Sequence, residues 1–280
     1  MLVIKSAFDM HQWADNQRQL GKSVGFVPTM GALHVGHERL MEVSSFENDV
    51  TVLSIFVNPT QFGEHEDFDK YPRDLEGDLL VAKKCNVDVV FVPSEEEIYP
   101  SGFTAWIDPG VLGEVFEGEV RPGHFRGVCT VVHQLFSIVQ PTNAYFGQKD
   151  AQQFVVLSQL VQNLHLPIVL HRVSTVRETS GLALSSRNKY LSDEDQKRAP
   201  NIYQALQMAE AMFNAGETQS RTLIEPVFAN LEDFQIDYIA VVDQSAFAPL
   251  AKIDTDAYLI VAVRLHGVRL LDNVVLNAIA

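Results

Sequence analysis

The sequence predicts an α/β fold: a doubly wound parallel sheet in the first part of the chain, then a smaller C-terminal α+β domain. Three observations carry this reading. Short apolar runs rich in β-branched residues alternate with segments of helical spacing up to about residue 176. Those runs are apolar on both faces, as the strands of a covered parallel sheet are. Beyond that point strands and helices cease to alternate, which marks an α+β arrangement. The expected domains are therefore 1–176 and 177–280.

The elements follow in order. Strands are expected at "SVGFVPTM" (23–30), "DVTVLSIFVN" (49–58) and "VDVVFVP" (87–93), with "HERLMEVSSF" and "DLLVAKKC" as helices between them. "FRGVCTVVHQLFSIV" (125–139) has helical spacing, "AYFG" reads as a strand, "QQFVVLSQLVQNL" as a helix and "PIVLHRVSTV" (167–176) as a strand. A helix opens at Ser192, a suitable N-cap, and closes at Gly216, with Pro200 marking a kink or a late start. One more helix near 219–231 and the runs "IDYIAVVD", "AYLIVAVRL" and "VRLLDNVVL" complete the second domain. In doubly wound sheets ligands bind beyond the carboxyl ends of the strands. Every unusual polar cluster of this chain falls just after such a strand.

Composition narrows the function. The chain has 280 residues, 46% hydrophobic and 20% charged, as ordinary globular enzymes have. A formal net charge of −15 argues against non-specific nucleic-acid or anionic-membrane binding. Such a protein binds anions only where it gathers its few cations beside glycines. No stretch approaches the roughly 18 apolar residues of a membrane span, and "MLVIKSAFDM" lacks the apolar core of a signal peptide. Cys85 and Cys129 have neither metal nor redox spacing and are expected as reduced, buried thiols in a cytoplasmic protein.

Five segments carry possible chemistry, and a sixth only imitates one. "NQRQLGKS" (16–23) mimics the end of a phosphate-binding loop, but Asn16 replaces the first glycine and the segment precedes a strand, so a surface turn is expected. "TMGALHVGH" (29–37) places His34 and His37 three apart on a first helical turn, with Gly31 and Gly36 beside them. A helix N-terminus with two imidazoles suits a polyphosphate; solvated loop histidines and half a zinc site are the rival readings. "YFGQKDAQQ" (145–153) offers Gly147 for space, Lys149 for phosphate and Asp150 for a ribose hydroxyl, or merely a solvated helix cap. "SGLALSSRN" (180–188) aligns Ser185, Ser186 and Arg187, which either wrap phosphate oxygens or form a polar interdomain loop. "RPGHFRG" (121–127) concentrates Arg121, His124 and Arg126, the pattern of an anion site or mobile lid, with a solvated loop as the rival reading. Gln61 in "IFVNPTQFG" ends a strand where it can orient a polar substrate, or lies in a simple surface loop.

Taken in order, "VPTMGALHVGH", "SIFVNPTQF", "YPRDLEGD", "RPGHFRGV", "FGQKDAQQ", "GLALSSRNKYL" and the terminal "RLLDN" closely resemble the pantothenate synthetase (pantoate–β-alanine ligase) family, over nearly the whole chain. That family belongs to the HxGH nucleotidyltransferase-like superfamily, with a Rossmann-like first domain; because an adenylate intermediate is hydrolysable, the smaller C-terminal domain is expected to close over it as a lid. The resemblance implies ATP along Met30, Gly31, Ala32, Leu33, His34, Val35, Gly36 and His37, at Gly147, Gln148, Lys149 and Asp150, at Val176, and along Leu184 to Arg187. His37 matches the proton donor; His34, Lys149, Ser185, Ser186 and Arg187 would stabilise the phosphates. Pantoate is implied against Gln61 and Gln153, with Gln61 also near β-alanine, and Arg121 and His124 join the substrate-binding set. Asp78 matches an acidic position near Mg2+, although Gly77 stands where many relatives carry an acid. Gln148 replaces a frequent glutamate. The implied enzyme is a cytoplasmic homodimer that activates pantoate as an adenylate and transfers it to β-alanine. The alternatives are another HxGH enzyme with a different acceptor and a catalytically silent nucleotide-binding protein.

Overall fold

A computed structural model describes residues 1–64 and 66–278. The chain divides into two compact units, one of residues 1–147 and 156–173, the other of 148–155 and 174–280.

The first unit is built on a six-stranded, all-parallel sheet. In chain order come β1 (Leu2–Ile4), α1 (Ala7–Gln19), β2 (Val24–Thr29), α2 (Val35–Glu47), β3 (Val50–Ile55), α3 (Leu75–Lys84), β4 (Val89–Phe91) and the single-turn α4 (Glu95–Ile98) and α5 (Glu117–Val120). Then follow α6 (His124–Val139), β5 (Asn143–Gly147), α7 (Ala151–Asn163) and β6 (Val169–Val173). The strand order is β1-β4-β3-β2-β5-β6, so the winding reverses between β2 and β5. Ligands bind at such reversals because the flanking loops part there. The register shows the parting directly: β2 follows β3 over six residue pairs but meets β5 only at Gly25–Asn143 and Phe26–Ala144. Pro28, which has no N–H for a ladder, stands beyond that short pairing and is tolerated for that reason.

Alternation along the strands fills both faces of the sheet. Val27, Leu53, Val90 and Tyr145 pack with Leu40 and Met41 of α2 and Ala82 of α3. On the opposite face Phe26 meets Phe136 of α6 edge to face, ring centroids 6.2 Å apart, and Phe146 meets the same ring at 6.5 Å. The N-terminal β1 and α1 are elements that the hydrophobic pattern does not announce. Only Met10 and Ala14 of α1 are fully buried, and the expected surface turn "NQRQLGKS" is in its first half, Asn16–Gln19, the end of this helix; the chain turns only at Leu20 and Gly21 before the strand.

The second unit contains α8 (Asp193–Arg198), α9 (Asn201–Asn214), α10 (Ser220–Asn230) and an antiparallel sheet of β7 (Gln235–Asp243), β8 (Ala257–Leu265) and β9 (Val268–Leu276). The expected helix 192–216 is two helices. Ser192 caps α8 by accepting from the N–H of Asp195 at 3.2 Å, and Pro200 starts α9 where its missing N–H is harmless. Leu206 of α9 and Leu223 and Val227 of α10 cover Leu259, Val261 and Val263 of β8. Cys85 and Cys129 are free, buried thiols, as expected.

Candidate active site

At the carboxyl end of β2 the chain turns through two left-handed residues, Gly31 (φ +81°) and Ala32 (φ +52°), before α2 begins. A β-carbon at Gly31 would lie 2.7 Å from Asp78 Oδ2, so both its backbone angle and its neighbour favour glycine. This turn aims two N–H groups at one carboxylate: Ala32 donates to Asp78 Oδ2 at 2.9 Å and Leu33 to Oδ1 at 2.7 Å. Asp78 is buried, and burial pushes its pKa upward against the pull of those two N–H donors. These backbone N–H groups, expected at the nucleotide, are thus engaged by the protein itself.

What the turn presents instead is imidazole. His34 is the N-cap of α2, and its Nδ1 accepts from the N–H of Gly36 at 3.1 Å. His37, one turn on, accepts through Nδ1 from the N–H of His34 at 3.3 Å. With Nδ1 accepting in both neutral rings, the proton of each sits on Nε2. The ring centroids lie 4.1 Å apart. Two N–H donors are thus held side by side by local backbone bonds. Gly36 is required by the same geometry, since a β-carbon there would come within 2.8 Å of His34 Cε1. The space beside Gly36 is filled by the capping ring.

Gln61 lies beyond β3 in a short 3-10 turn, Pro59–Gln61, capped by Asn58. Asn58 is almost wholly buried and donates to Gln61 Oε1 at 3.0 Å and to the carbonyl of Gly127 at 3.2 Å. It accepts from the Tyr99 hydroxyl at 2.8 Å. Gln61 Nε2 in turn approaches Met30 Sδ at 3.4 Å, which joins this turn to the histidine segment.

The segment 121–127 grips the same turn from the other side. A β-carbon on Gly127 would lie 2.4 Å from the carbonyl oxygen of Thr60, so α6 seats directly on the Thr60–Gln61 peptide. His124 Nδ1 donates to the Gln61 carbonyl at 2.9 Å, and its Nε2 accepts from Arg121 Nη1 at 3.0 Å. That fixes a neutral ring, and burial with the Arg121 charge lowers its pKa to about 4. Arg121 Nε and Nη2 bind Glu66 in a fork, each at 2.6 Å. Burial raises the Glu66 pKa, but the Arg121 bonds and charge outweigh it and leave the group lowered. Arg126 turns away and lies over the Trp106 ring at 5.0 Å. The expected concentration of positive charge is therefore dispersed: one cation is paired, one histidine is neutral, one arginine is stacked.

Gly147, ending β5 in the first unit, has open space where a side chain would stand. In the second unit, Lys149 lies in the turn Gln148–Asp150 and pairs with Asp150 at 2.9 Å. Gln153 occupies the first turn of α7, half-buried. Val176 accepts from the N–H of Leu184 at 3.0 Å, closing a small hairpin that delivers Ser185. The Ser185 hydroxyl caps the turn Ser186–Tyr190 by accepting from the N–H of Arg187 at 3.3 Å. β9 touches both this turn and the Lys149 turn. Asn58, Glu66, Tyr99, Arg177, Asp272 and Asn273 hold these segments, and sequence reasoning assigned none of them a role. Among the described residues, no group of three or more His, Cys, Asp or Glu is placed to hold a metal ion.

A family model for pantoate–β-alanine ligase matches residues 2–275. The chain is 47% identical to the pantothenate synthetase of Aquifex aeolicus, covering 97% of this chain and 98% of that one. Against the Moorella thermoacetica pantothenate synthetase the identity is 48%, over 99% of both. The chain belongs to the pantoate–β-alanine ligase family. Its activity is that of a ligase, and the whole-length match favours this over another superfamily enzyme or a silent nucleotide binder. A crystal structure of the Thermus thermophilus ligase superposes with a TM-score of 0.93 at 42% identity, covering 99% of this chain and all of that one. A Francisella tularensis ligase, solved with β,γ-ATP and β-alanine, gives 0.80 at 35% identity over 98% of this chain and 97% of that one. The α/β fold with its parallel sheet and small antiparallel sheet is that of the family.

Proposed function

We propose that the chain condenses pantoate with β-alanine, cleaving ATP to AMP and pyrophosphate through a pantoyl-adenylate intermediate. What carries this reading is the match to the family over 2–275, together with the His34 and His37 rings held side by side at the carboxyl end of β2. Adenylation needs no general base, because the pantoate carboxylate is already ionised at neutral pH. It needs in-line alignment and neutralisation of charge on the departing pyrophosphate. His37 donates its Nε2 proton in a hydrogen bond to the leaving phosphates, and His34 supports the same charge. Lys149, Ser185, Ser186 and Arg187 supply further donors, while Met30–Leu33, Val35, Gly36, Gly147, Gln148, Asp150, Val176 and Leu184 line the nucleotide. Gln61 and Gln153 orient pantoate. In the second step the neutral amine of β-alanine attacks the acyl carbon, the bond from that carbon to the phosphate oxygen breaks, AMP leaves, and the proton lost from the amine passes to solvent.

Asp78 would stand near the Mg2+ that accompanies ATP: each of its oxygens accepts one backbone N–H and keeps a lone pair. Mg2+ is typically held by phosphate oxygens, water and one or two carboxylates. The family resemblance further supports a homodimer, which sedimentation tests, and the two buried free thiols suit a cytoplasmic enzyme. The purified protein is expected to form AMP and pantothenate catalytically from Mg-ATP only when pantoate and β-alanine are both present. AMP formation with a different acceptor, or ATP binding without turnover, would contradict the reading.

A further inference from the structure

Two neighbouring residues of β9, Asp272 and Asn273, are almost wholly buried polar side chains with no part in the chemistry above. Neighbours on a strand face opposite sides of the sheet, so one position can serve two loops. Asn273 Nδ2 donates to the carbonyls of Gln148 and Lys149, at 2.9 and 3.0 Å, and its Oδ1 accepts from Gln148 Nε2 at 3.4 Å. One amide thus fixes two consecutive peptides, and the second of them sets the direction in which Lys149 leaves the turn.

Asp272 serves the other loop. Its Oδ2 accepts from Arg177 Nη1 at 2.5 Å and its Oδ1 from Nη2 at 2.8 Å, while Oδ1 also takes the N–H of Asn273 at 2.8 Å. The Arg177 guanidinium lies 3.5 Å from the centroid of the Tyr203 ring, and Nη1 donates to the Gly181 carbonyl at 3.2 Å. Arg177 also bridges to Ala183 along the backbone, just before Ser185. Both phosphate loops assigned to this unit therefore hang from one dipeptide.

A purely structural account of these residues is weak. A buried ion pair stabilises a fold no better than well-packed apolar residues do, because desolvation consumes its Coulombic gain. What such a network supplies is direction. An apolar side chain at 273 would fill the space but leave two carbonyls without a donor and the turn without a fixed orientation.

We infer that Asp272 and Asn273 are positioning residues for ATP, setting the Lys149 turn and the Ser185–Arg187 turn in register with each other. This rests on the reading that those turns bind the ATP phosphates. The test uses Asn273→Asp, which keeps the shape but replaces the donor by an acceptor, and Asn273→Ser, a milder change that retains one donor. ATP binding is titrated calorimetrically, and KM is measured for ATP, pantoate and β-alanine. Asn273→Asp is expected to weaken ATP binding about tenfold or more and raise the ATP KM in parallel. Asn273→Ser should fall between it and the parent, with the pantoate KM moved by less than about twofold. The melting temperature shows whether each variant is folded. Unchanged ATP affinity in a folded variant, or KM values rising together for all three substrates, overturns the inference. Loss of turnover in the unaltered chain, with ATP still bound, would instead overturn the ligase reading, and the calorimetric comparison would still decide the positioning role.

Discussion

The two histidine-bearing segments of the first unit, 34–37 and 121–127, look alike in composition and behave oppositely. Both set His beside Gly at the start of a helix. In the first, Nδ1 of each ring is tied to backbone two or three residues away, which places the ring proton on Nε2. In the second, His124 and Arg121 reach Gln61 and Glu66, 63 and 55 positions away, and become part of the scaffold. The local bonds fix each ring against its own turn; the distant ones tie His124 and Arg121 to another segment. A cluster of cations in an acidic protein is therefore a ligand site only if its carboxylate and carbonyl partners lie elsewhere.

The comparison can be broken at several points. The largest effect is expected at His37: replacement by alanine should lower the adenylation rate by roughly 10²–10⁴-fold with little change in melting temperature. A folded variant with near-normal rate would remove the distinction between the segments. Next comes acidity. The unfolded chain protonates His124 near its ordinary pKa of 6.5, whereas the folded site resists until about 4. Stability is thus full above pH 6.5 and falls as the pH drops toward 4, by about 3 kcal/mol. His124→Asn, which keeps a donor at the Nδ1 position, should remove most of this slope. His133, whose pKa burial also lowers, leaves a smaller one. Urea unfolding at a series of pH values between about 4.5 and 6.5 gives the answer.

Gly36→Ala is expected to cost about 10-fold in rate, because the new β-carbon displaces the capping ring of His34, while pantoate affinity is retained. The smallest effect is expected at Glu66. Glu66→Gln releases Arg121 without touching any proposed substrate contact, and should raise the pantoate KM by a few-fold through Gln61. Were Arg121 a direct substrate ligand, freeing it from Glu66 would lower that KM.

Legibility in the sequence follows the same division between local and distant. The sheet was legible because its strands are apolar on both faces, and the HVGH turn because the bonds that cap its helix lie within three residues. β1 and α1 were not: a three-residue strand carries no period, and a helix with two fully buried side chains shows no stripe. The Arg121–His124 clamp is invisible in the sequence because Glu66 and the Gln61 carbonyl are remote in the chain. Asn273 reaches carbonyls some 125 positions away, beyond any spacing argument. The bonds of Asp78 to the N–H groups of Ala32 and Leu33 are hidden for the same reason, since no side-chain pattern displays backbone donors.

The most direct measurement is pantoate-dependent exchange of labelled pyrophosphate into ATP, without β-alanine, by the parent chain, His37→Ala and Glu66→Gln. The account predicts brisk exchange in the parent, strong loss in His37→Ala at saturating substrates, and near-parent exchange in Glu66→Gln once pantoate is raised. Exchange independent of pantoate, or equal loss in both variants at saturation, would contradict it.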